Sequence, residues 1–325
     1  MNNRSGPALD YQAFVSLTNI VVSWCAIPGN VLVLLAFFKY KQLRKEECLH
    51  LITGLAFTDL WTAIGGFIYN LVQRLVSVGS IQNYNKGLCL LAGFGQISGI
   101  KGGQLMLLFI GYDRFCALKD YMAYSIKEHV PFAKRSFLFS VVWSLLVPLS
   151  MFVKVDLSEK PQYCSVGGSV TKGFSLFYLF SVLMVSSVIL FFYISCLVML
   201  FRFKTSAVSA NQALQQRLKV TKTIAIVLFF YTVFWILPNF AFTLALFTKQ
   251  SSVVRGRIGA LISAGSCYNC LVNVIVYAVK HKILRAYLLR ALKCQSPAKV
   301  NASSGQQRVQ FQAARQNLRF RSDLN

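Results

Sequence analysis

Four charged residues stand where charge is expensive. Asp59, Lys101 and the adjacent pair Asp113-Arg114 lie within, or at the end of, long apolar runs. A carboxylate or ammonium in such a run costs about 2.5–3.5 kcal/mol to insert in a bilayer and needs a partner, a proton or a counter-ion. The chemistry differs at each. Asp113 and Arg114 can neutralise one another through a charge-assisted pair until something separates them, which is the behaviour of a switch. Asp59 can hold a cation or a proton; a protonated side chain tied into hydrogen bonds is its structural alternative. Lys101 can receive an acid, or can bond carbonyls and hydroxyls of neighbouring spans. No catalytic grouping accompanies them. The three histidines, His50, His129 and His281, lack nucleophile–base or metal-ligand spacing, so neither an enzyme nor a metal centre is expected, apart from a sodium ion at Asp59.

The elements that carry these residues are membrane spans. Of 325 residues 55% are apolar and 14% charged, against about 25% charged in a soluble domain. Charge-free runs cover Tyr11–Phe38, Ser136–Val153, Gly173–Phe201, Thr223–Thr248 and Ile258–Val279. Leu51–Gln73 contains only Asp59, and Cys89–Phe115 contains Lys101 before it ends on the Asp-Arg pair. Each run reaches about the 18–20 residues that cross a bilayer. Backbone groups in lipid must be satisfied within the segment, so the runs are helices; a closed barrel would need an alternation that is absent. The expected fold is an all-α membrane protein, a seven-transmembrane-helix bundle followed by a short amphipathic helix.

Basic residues orient the bundle. With the N-terminus outside, most of the Lys and Arg, and so most of the net +24, fall in inner loops and tail. That charge faces anionic lipid and cytosolic partners rather than nucleic acid, because it is split among short loops. The expected layout is an extracellular tail over 1–13, the seven-helix transmembrane bundle over 14–280, a membrane-surface helix over 281–294 and a basic disordered tail over 295–325. The first run is too long for a signal-peptide core and is expected to stay as a span. Asn3 opens a glycosylation sequon on the outside. Cys89 and Cys164 are the two cysteines at or beyond the outer edge, which predicts a disulfide between the loop after span four and the top of span three. Gly95, Gly99 and Gly103 recur every fourth residue, so one face of span three permits close backbone approach. Lys101 lies about 18 Å below Cys89 and about 200° around the helix from Gly103. Pro238 predicts a kink in span six, static or hinged. Ile283, Tyr287, Leu288 and Leu292 share a face flanked by basic residues, an interfacial helix, and Cys294 at its end is either a palmitoylation site or a plain thiol.

In this order the motifs resemble the rhodopsin-like G-protein-coupled receptors. The residues that carry the likeness are Gly29-Asn30, Leu55-Ala56-x-x-Asp59, Cys89 with Asp113-Arg114-Phe115, Trp143, Tyr193, Pro238 and Asn273-x-x-x-Tyr277. The interval from Cys89 to Arg114 equals the family spacing. The flavour of Ile64-Gly65-Gly66-Phe67 and Val220-Thr221-Lys222-Thr223 is similar to nematode serpentine chemoreceptors. The resemblance implies that Asp113 holds Arg114 at rest. On activation Arg114 would meet Tyr193, Tyr277 and the tail of a heterotrimeric G protein, while Pro238 lets the inner end of span six swing outward. Arrestin is a further implied partner, and the implied location is the plasma membrane. Asn30, Asp59, Asn269 and Asn273 resemble the polar core that holds sodium, although Gly103 stands where a serine commonly contributes.

Other departures concern the switch. Phe115 replaces a tyrosine, Val274 replaces the proline after Asn273, and Val185 replaces a proline in span five. Trp235 stands three residues before Pro238, where the family usually places it two before. Leu218 takes the place of an acidic residue at the base of span six, leaving Asp113 as the sole expected restraint. Gln96 and Cys267 occupy positions that carry the amine-binding Asp and the Schiff-base Lys in monoamine receptors and opsins, so those ligands are disfavoured. The expected ligand is a peptide or small metabolite or odorant with an acidic group, meeting Gln96, Lys101, Asn239, Thr243 and Cys267. The competing class is a transporter or channel; its marks, two similar halves or paired broken helices, are missing.

Overall fold

The structure, a computed structural model, describes residues 7–161, 164–206, 226–248, 250, 252–280 and 282–292. Seven long helices form the predicted bundle: α1 (Pro7–Lys39), α2 (Glu47–Ser77), α3 (Lys86–Lys119), α4 (Val130–Leu149), α5 (Lys172–Ser206), α6 (Ile226–Phe247) and α7 (Ser252–Lys280). A short α8 (Lys282–Leu292) follows. Helix α1 starts at Pro7, inside the segment expected as a tail. Six of the seven are long and apolar enough to cross a membrane. The seventh, α3, is diluted by its glycines, glutamines and Lys101, because it is the helix that the others surround.

Helix α3 packs on α2, α4 and α5, and α1 packs on α2 and α7. The glycine ladder explains the tight α2–α3 contact. A Cβ on Gly99 would lie 2.6 Å from Thr62 Cα, one on Gly95 would lie 3.2 Å from Gly65 Cα, and one on Gly65 would overlap the Gly95–Gln96 backbone. The ladder therefore serves internal packing. Lys101 points to the opposite side of α3, towards α5, as the helical angle required.

Polar residues at the helix ends place the loops. Asn85 caps α3, accepting from Leu88 N at 2.9 Å. Asp120 ends α3 and caps the one-turn-and-a-half helix Tyr121–Ile126, accepting from Ala123 N at 2.9 Å. At the other end of the bundle the Cys89–Cys164 disulfide is present, with Cα atoms 5.2 Å apart. Gln73 donates to the Cys164 carbonyl (3.1 Å), and Val166 N donates to the Tyr69 hydroxyl (3.2 Å). The Val166 side chain then fits against Gly93, where a Cβ would collide with it. The loop is thus a plug over the end of the bundle. Cys164→Ser is expected to lower stability by about 2–4 kcal/mol, read as a lower thermal midpoint of the purified protein under non-reducing conditions. An unchanged midpoint would show that the plug is held by its hydrogen bonds alone.

Helix α6 contains a π-helical turn over Thr232–Ile236 immediately before Pro238. A proline cannot donate to the carbonyl four residues back, and a wide turn relieves the ring clash there. The Phe234 carbonyl so released presses on α7 at Gly265, a position where any Cβ would strike it. The π-turn also inserts one residue, which offsets the one-residue displacement of the tryptophan. Trp235 is buried and lines the core, while Ile236 is half-buried.

Candidate functional site

The residues expected to form the switch gather at the C-terminal end of α3. Asp113 is buried. Its Oδ2 lies 3.8 Å from Arg114 Nε, a loose ion pair without a hydrogen bond. Its Oδ1 instead accepts from the Tyr124 hydroxyl at 2.8 Å. The His129 ring stacks on Tyr124 with centroids 3.8 Å apart, and its Nδ1 is 3.8 Å from Oδ1. The Arg114 guanidinium lies beside the Cys48 thiol of α2 and within electrostatic range of Tyr193 and Tyr277. Phe115 packs on Phe192 of α5, ring centroids 5.5 Å apart. Tyr193 covers Gly111, one turn above, and its hydroxyl donates to the Leu107 carbonyl at 3.4 Å. Tyr124 and His129, from the loop, are thus further neighbours of the Asp113 carboxylate. Sequence reading missed both. No periodicity links them to Asp113; the one available signal was Asp120, a helix stop and cap that folds the next turn back.

The polar core lies midway. Asn273 donates to Asp59 Oδ2 at 2.9 Å. Asp59, Asn269, Thr62, Ser266, Gly103, Gln104, Tyr231 and Trp235 are among the residues lining a cavity of about 30 Å³, room for a small ion or a water. Asn30 stays outside this hydrogen-bonded set and donates to Ala26 O of its own helix at 3.0 Å. Gly103 brings no hydroxyl, and a Cβ there would sit 3.9 Å from Asp59 Oδ1. The neighbouring Gln104 was not singled out in the sequence. Its amide is buried beside the Tyr231 hydroxyl, lacks a hydrogen bond of good geometry and faces the cavity. Carboxylate, amide and hydroxyl oxygens converging on so small a space suit a hard cation.

The five residues expected to meet ligand are all buried, but they divide into three groups. Gln96 crosses to α7, donating to Ser263 Oγ (2.9 Å) and Ser266 Oγ (3.0 Å) and reaching Cys267 Sγ (3.6 Å). Asn239 donates to Trp235 O and Thr243 to Asn239 O, both within α6. Lys101 is 1% exposed and turns to α5. There its Nζ donates to Ser181 Oγ at 2.8 Å and lies 3.9 Å from the Tyr178 ring centroid. No ion pair of Lys101 with a carboxylate exists among the described residues. The alternative partner set, a hydroxyl from span five, is the one the structure adopts. Asn3 and Cys294 lie outside the described residues.

The model of the 7 transmembrane receptor (rhodopsin family) matches residues 29–277. Those limits run from the glycine beside Asn30 to Tyr277 and enclose the disulfide, the switch and the polar core. With the seven-helix bundle and the Cys89–Cys164 bridge in place, this match makes the chain a member of the rhodopsin family of seven-transmembrane receptors.

Proposed function

We propose that this receptor carries an extracellular chemical signal to a heterotrimeric G protein. The observation that supports the reading most directly is the buried Asp113 beside Arg114 at the end of α3, in a rhodopsin-family bundle, with Tyr193 and Tyr277 within electrostatic range of the guanidinium. Ligand binding at the disulfide-bearing, extracellular end biases α6 at its π-turn and Pro238. The inner end of α6 moves out, and Arg114 leaves Asp113 for the two tyrosines and the G protein. In this reading the protein spans the plasma membrane with its N-terminus outside, and the opened inner face also suits arrestin.

The ligand in this reading is a small acidic metabolite, odorant or peptide. Lys101 supports that choice, because a buried ammonium with a hydroxyl and a ring face, but no carboxylate among the described residues, is the natural partner of an anion. Asp59, Asn269 and Gln104 would hold a sodium ion, which supplies positive charge to the polar core.

The test is guanine-nucleotide exchange on a panel of heterotrimers by the purified receptor, with a library of carboxylates and acidic peptides as probes. Exchange stimulated by a library member is expected. Absence of exchange together with solute flux in liposomes would place the chain among transporters. Asp113→Asn is expected to raise ligand-free exchange several-fold, since it removes the charge that restrains Arg114. Equal basal exchange in variant and parent would overturn that role.

A further inference from the structure

Lys101 stands at the foot of an apolar stripe. Leu90, Phe94, Ile97 and Lys101 recur on α3 at intervals of four, three and four residues, so they share one face of the helix over about 16 Å. The first three lead from the disulfide-bearing end down to the ammonium. Phe174, Tyr178 and Ser181 recur on α5 at intervals of four and three, and the same apolar cluster holds Phe174 and Tyr178 against the α3 stripe. Their ring centroids are 6.0 Å apart. The turn Ser150–Phe152, which continues α4, adds Met151 and Phe152, the latter with its ring centroid 6.3 Å from that of Phe94.

This cluster is open on one side. Helix α3 is surrounded by the others, yet Phe94 and Ile97 are only half-buried, as are Phe152 and Tyr178. Leu90, Met151 and Phe174 behind them are buried. The four open faces mark an apolar cleft on the Lys101 side of α3. At its foot the chemistry changes. Lys101 Nζ is held by Ser181 Oγ at 2.8 Å and by the Tyr178 ring. Ser98, three residues outward from Lys101 and so its neighbour on the helix surface, is buried, and its hydroxyl has no hydrogen-bond partner among the described residues.

An ammonium and an unused hydroxyl below apolar walls suit one kind of molecule. A carboxylate has an oxygen for each donor, and an apolar chain would cover the walls. A peptide or a dicarboxylate would bring further polar groups against surfaces that offer them no partner, which is costly. A short acid would leave the walls uncovered. We propose that the ligand is a long-chain carboxylate, an amphiphile with its head at Lys101 and Ser98 and its chain running outward along Ile97, Tyr178, Phe94 and Phe152. The inference rests on the acidic-ligand reading above and narrows it to one chemical class.

The experiment measures displacement of tritiated dodecanoate from the full-length protein in lipid nanodiscs, with free concentrations corrected for uptake by empty nanodiscs. Hexanoate, octanoate, decanoate and dodecanoate are expected to compete about fourfold better for each added methylene. Dodecanol, which lacks the acid, is expected to compete at least about thirtyfold less well than dodecanoate, and Lys101→Met to bind dodecanoate weaker by a similar factor. Suberate, which is octanoate with a second acid at its far end, is expected to compete less well than octanoate. Phe94→Gln places an amide on the outer wall at a half-buried position. It is expected to remove the gain from octanoate to dodecanoate while hexanoate competes as in the parent. Equal competition by hexanoate and dodecanoate in the parent would overturn the proposal; if suberate then bound in a Lys101-dependent way, the acidic-ligand reading would stand without it. Dodecanol as effective as dodecanoate would assign the cleft to lipid chains in general and overturn the proposal, as would parental dodecanoate affinity in Lys101→Met. A parental chain-length series in Phe94→Gln would overturn the path given to the chain. Lys101-dependent dodecanoate binding without nucleotide exchange on any heterotrimer would overturn the signalling reading and leave this site standing.

Discussion

Lys101→Met is expected to make the receptor more heat-resistant and, at the same time, insensitive to the acidic ligand found in the exchange screen. Both effects come from one buried ammonium. Lys101 is 1% exposed, and its polar partner is the Ser181 hydroxyl, which itself donates to Tyr178 O. Replacing buried charge by a well-packed apolar side chain of similar volume is often neutral or stabilising by about 1–4 kcal/mol. Methionine also keeps the contact with the Tyr178 ring, since a thioether packs well on an aromatic face. The ligand, by contrast, loses its counter-ion. Truncating one partner of a buried charge pair costs about 2–5 kcal/mol, or roughly thirtyfold and more in potency. The checks are a thermal midpoint and a dose–response curve on the same preparation. A midpoint that falls would show the Lys101–Ser181–Tyr178 contact to be net stabilising, and unaltered potency would remove Lys101 from the ligand site. Ser181→Ala sharpens the result: it should change the midpoint little and weaken the ligand mildly, because the hydroxyl orients the ammonium without carrying charge.

Gly65→Ala and Gly99→Ala are expected to be the most damaging small substitutions on the α2–α3 seam. In an isolated helix alanine is favoured over glycine by about 1 kcal/mol, so a gain would follow if the ladder served no contact. Here the added methyl meets main chain. At Gly99 it would lie 2.6 Å from Thr62 Cα, and at Gly65 it would overlap the backbone of Gly95 and Gln96. Backbone cannot rotate away as a side chain can, so α2 and α3 must separate, at a cost of about 3 kcal/mol or more. Separation also shifts α2, and with it Asp59, away from its partner Asn273 on α7. At Gly95 the nearest atom would be 3.2 Å away and the cost is smaller. Gly103→Ser is the contrasting case: the nearest atom would be 3.6 Å away, and the new hydroxyl would approach Asp59. The expected order of thermal midpoints is Gly103→Ser near the parent, then Gly95→Ala, then Gly99→Ala and Gly65→Ala well below it. Surface yield should follow the same order. Equal midpoints for Gly99→Ala and the parent would mean that the helices are further apart than described.

The order of these effects shows how far residue types alone reach. Apolar run length and charge placement are local quantities, and a bilayer converts them directly into helices and orientation. The seven spans, the Cys89–Cys164 bridge, the face of α3 that carries Gly99 and the opposite bearing of Lys101 were therefore readable from spacing. Asp59 and Asn273 were recognisable as partners through the family pattern, and the structure joins them at 2.9 Å. Partner choice among buried polar groups is another matter, because it depends on a few degrees of helix rotation and a few tenths of an ångström of approach. Lys101 reached Ser181 and Tyr178 on α5 rather than the α6 residues Asn239 and Thr243, and Gln96 was drawn to the serines of α7. Asn30 turned back to its own helix. Trp235 looked misplaced by one residue until a π-turn, invisible in composition, took up the difference. Tyr124 and His129 came to Asp113 because Asp120 stops one helix and caps the next, folding a loop under the bundle. Burial physics demanded that each of these groups find company; the packing of seven rigid rods selected which company it was.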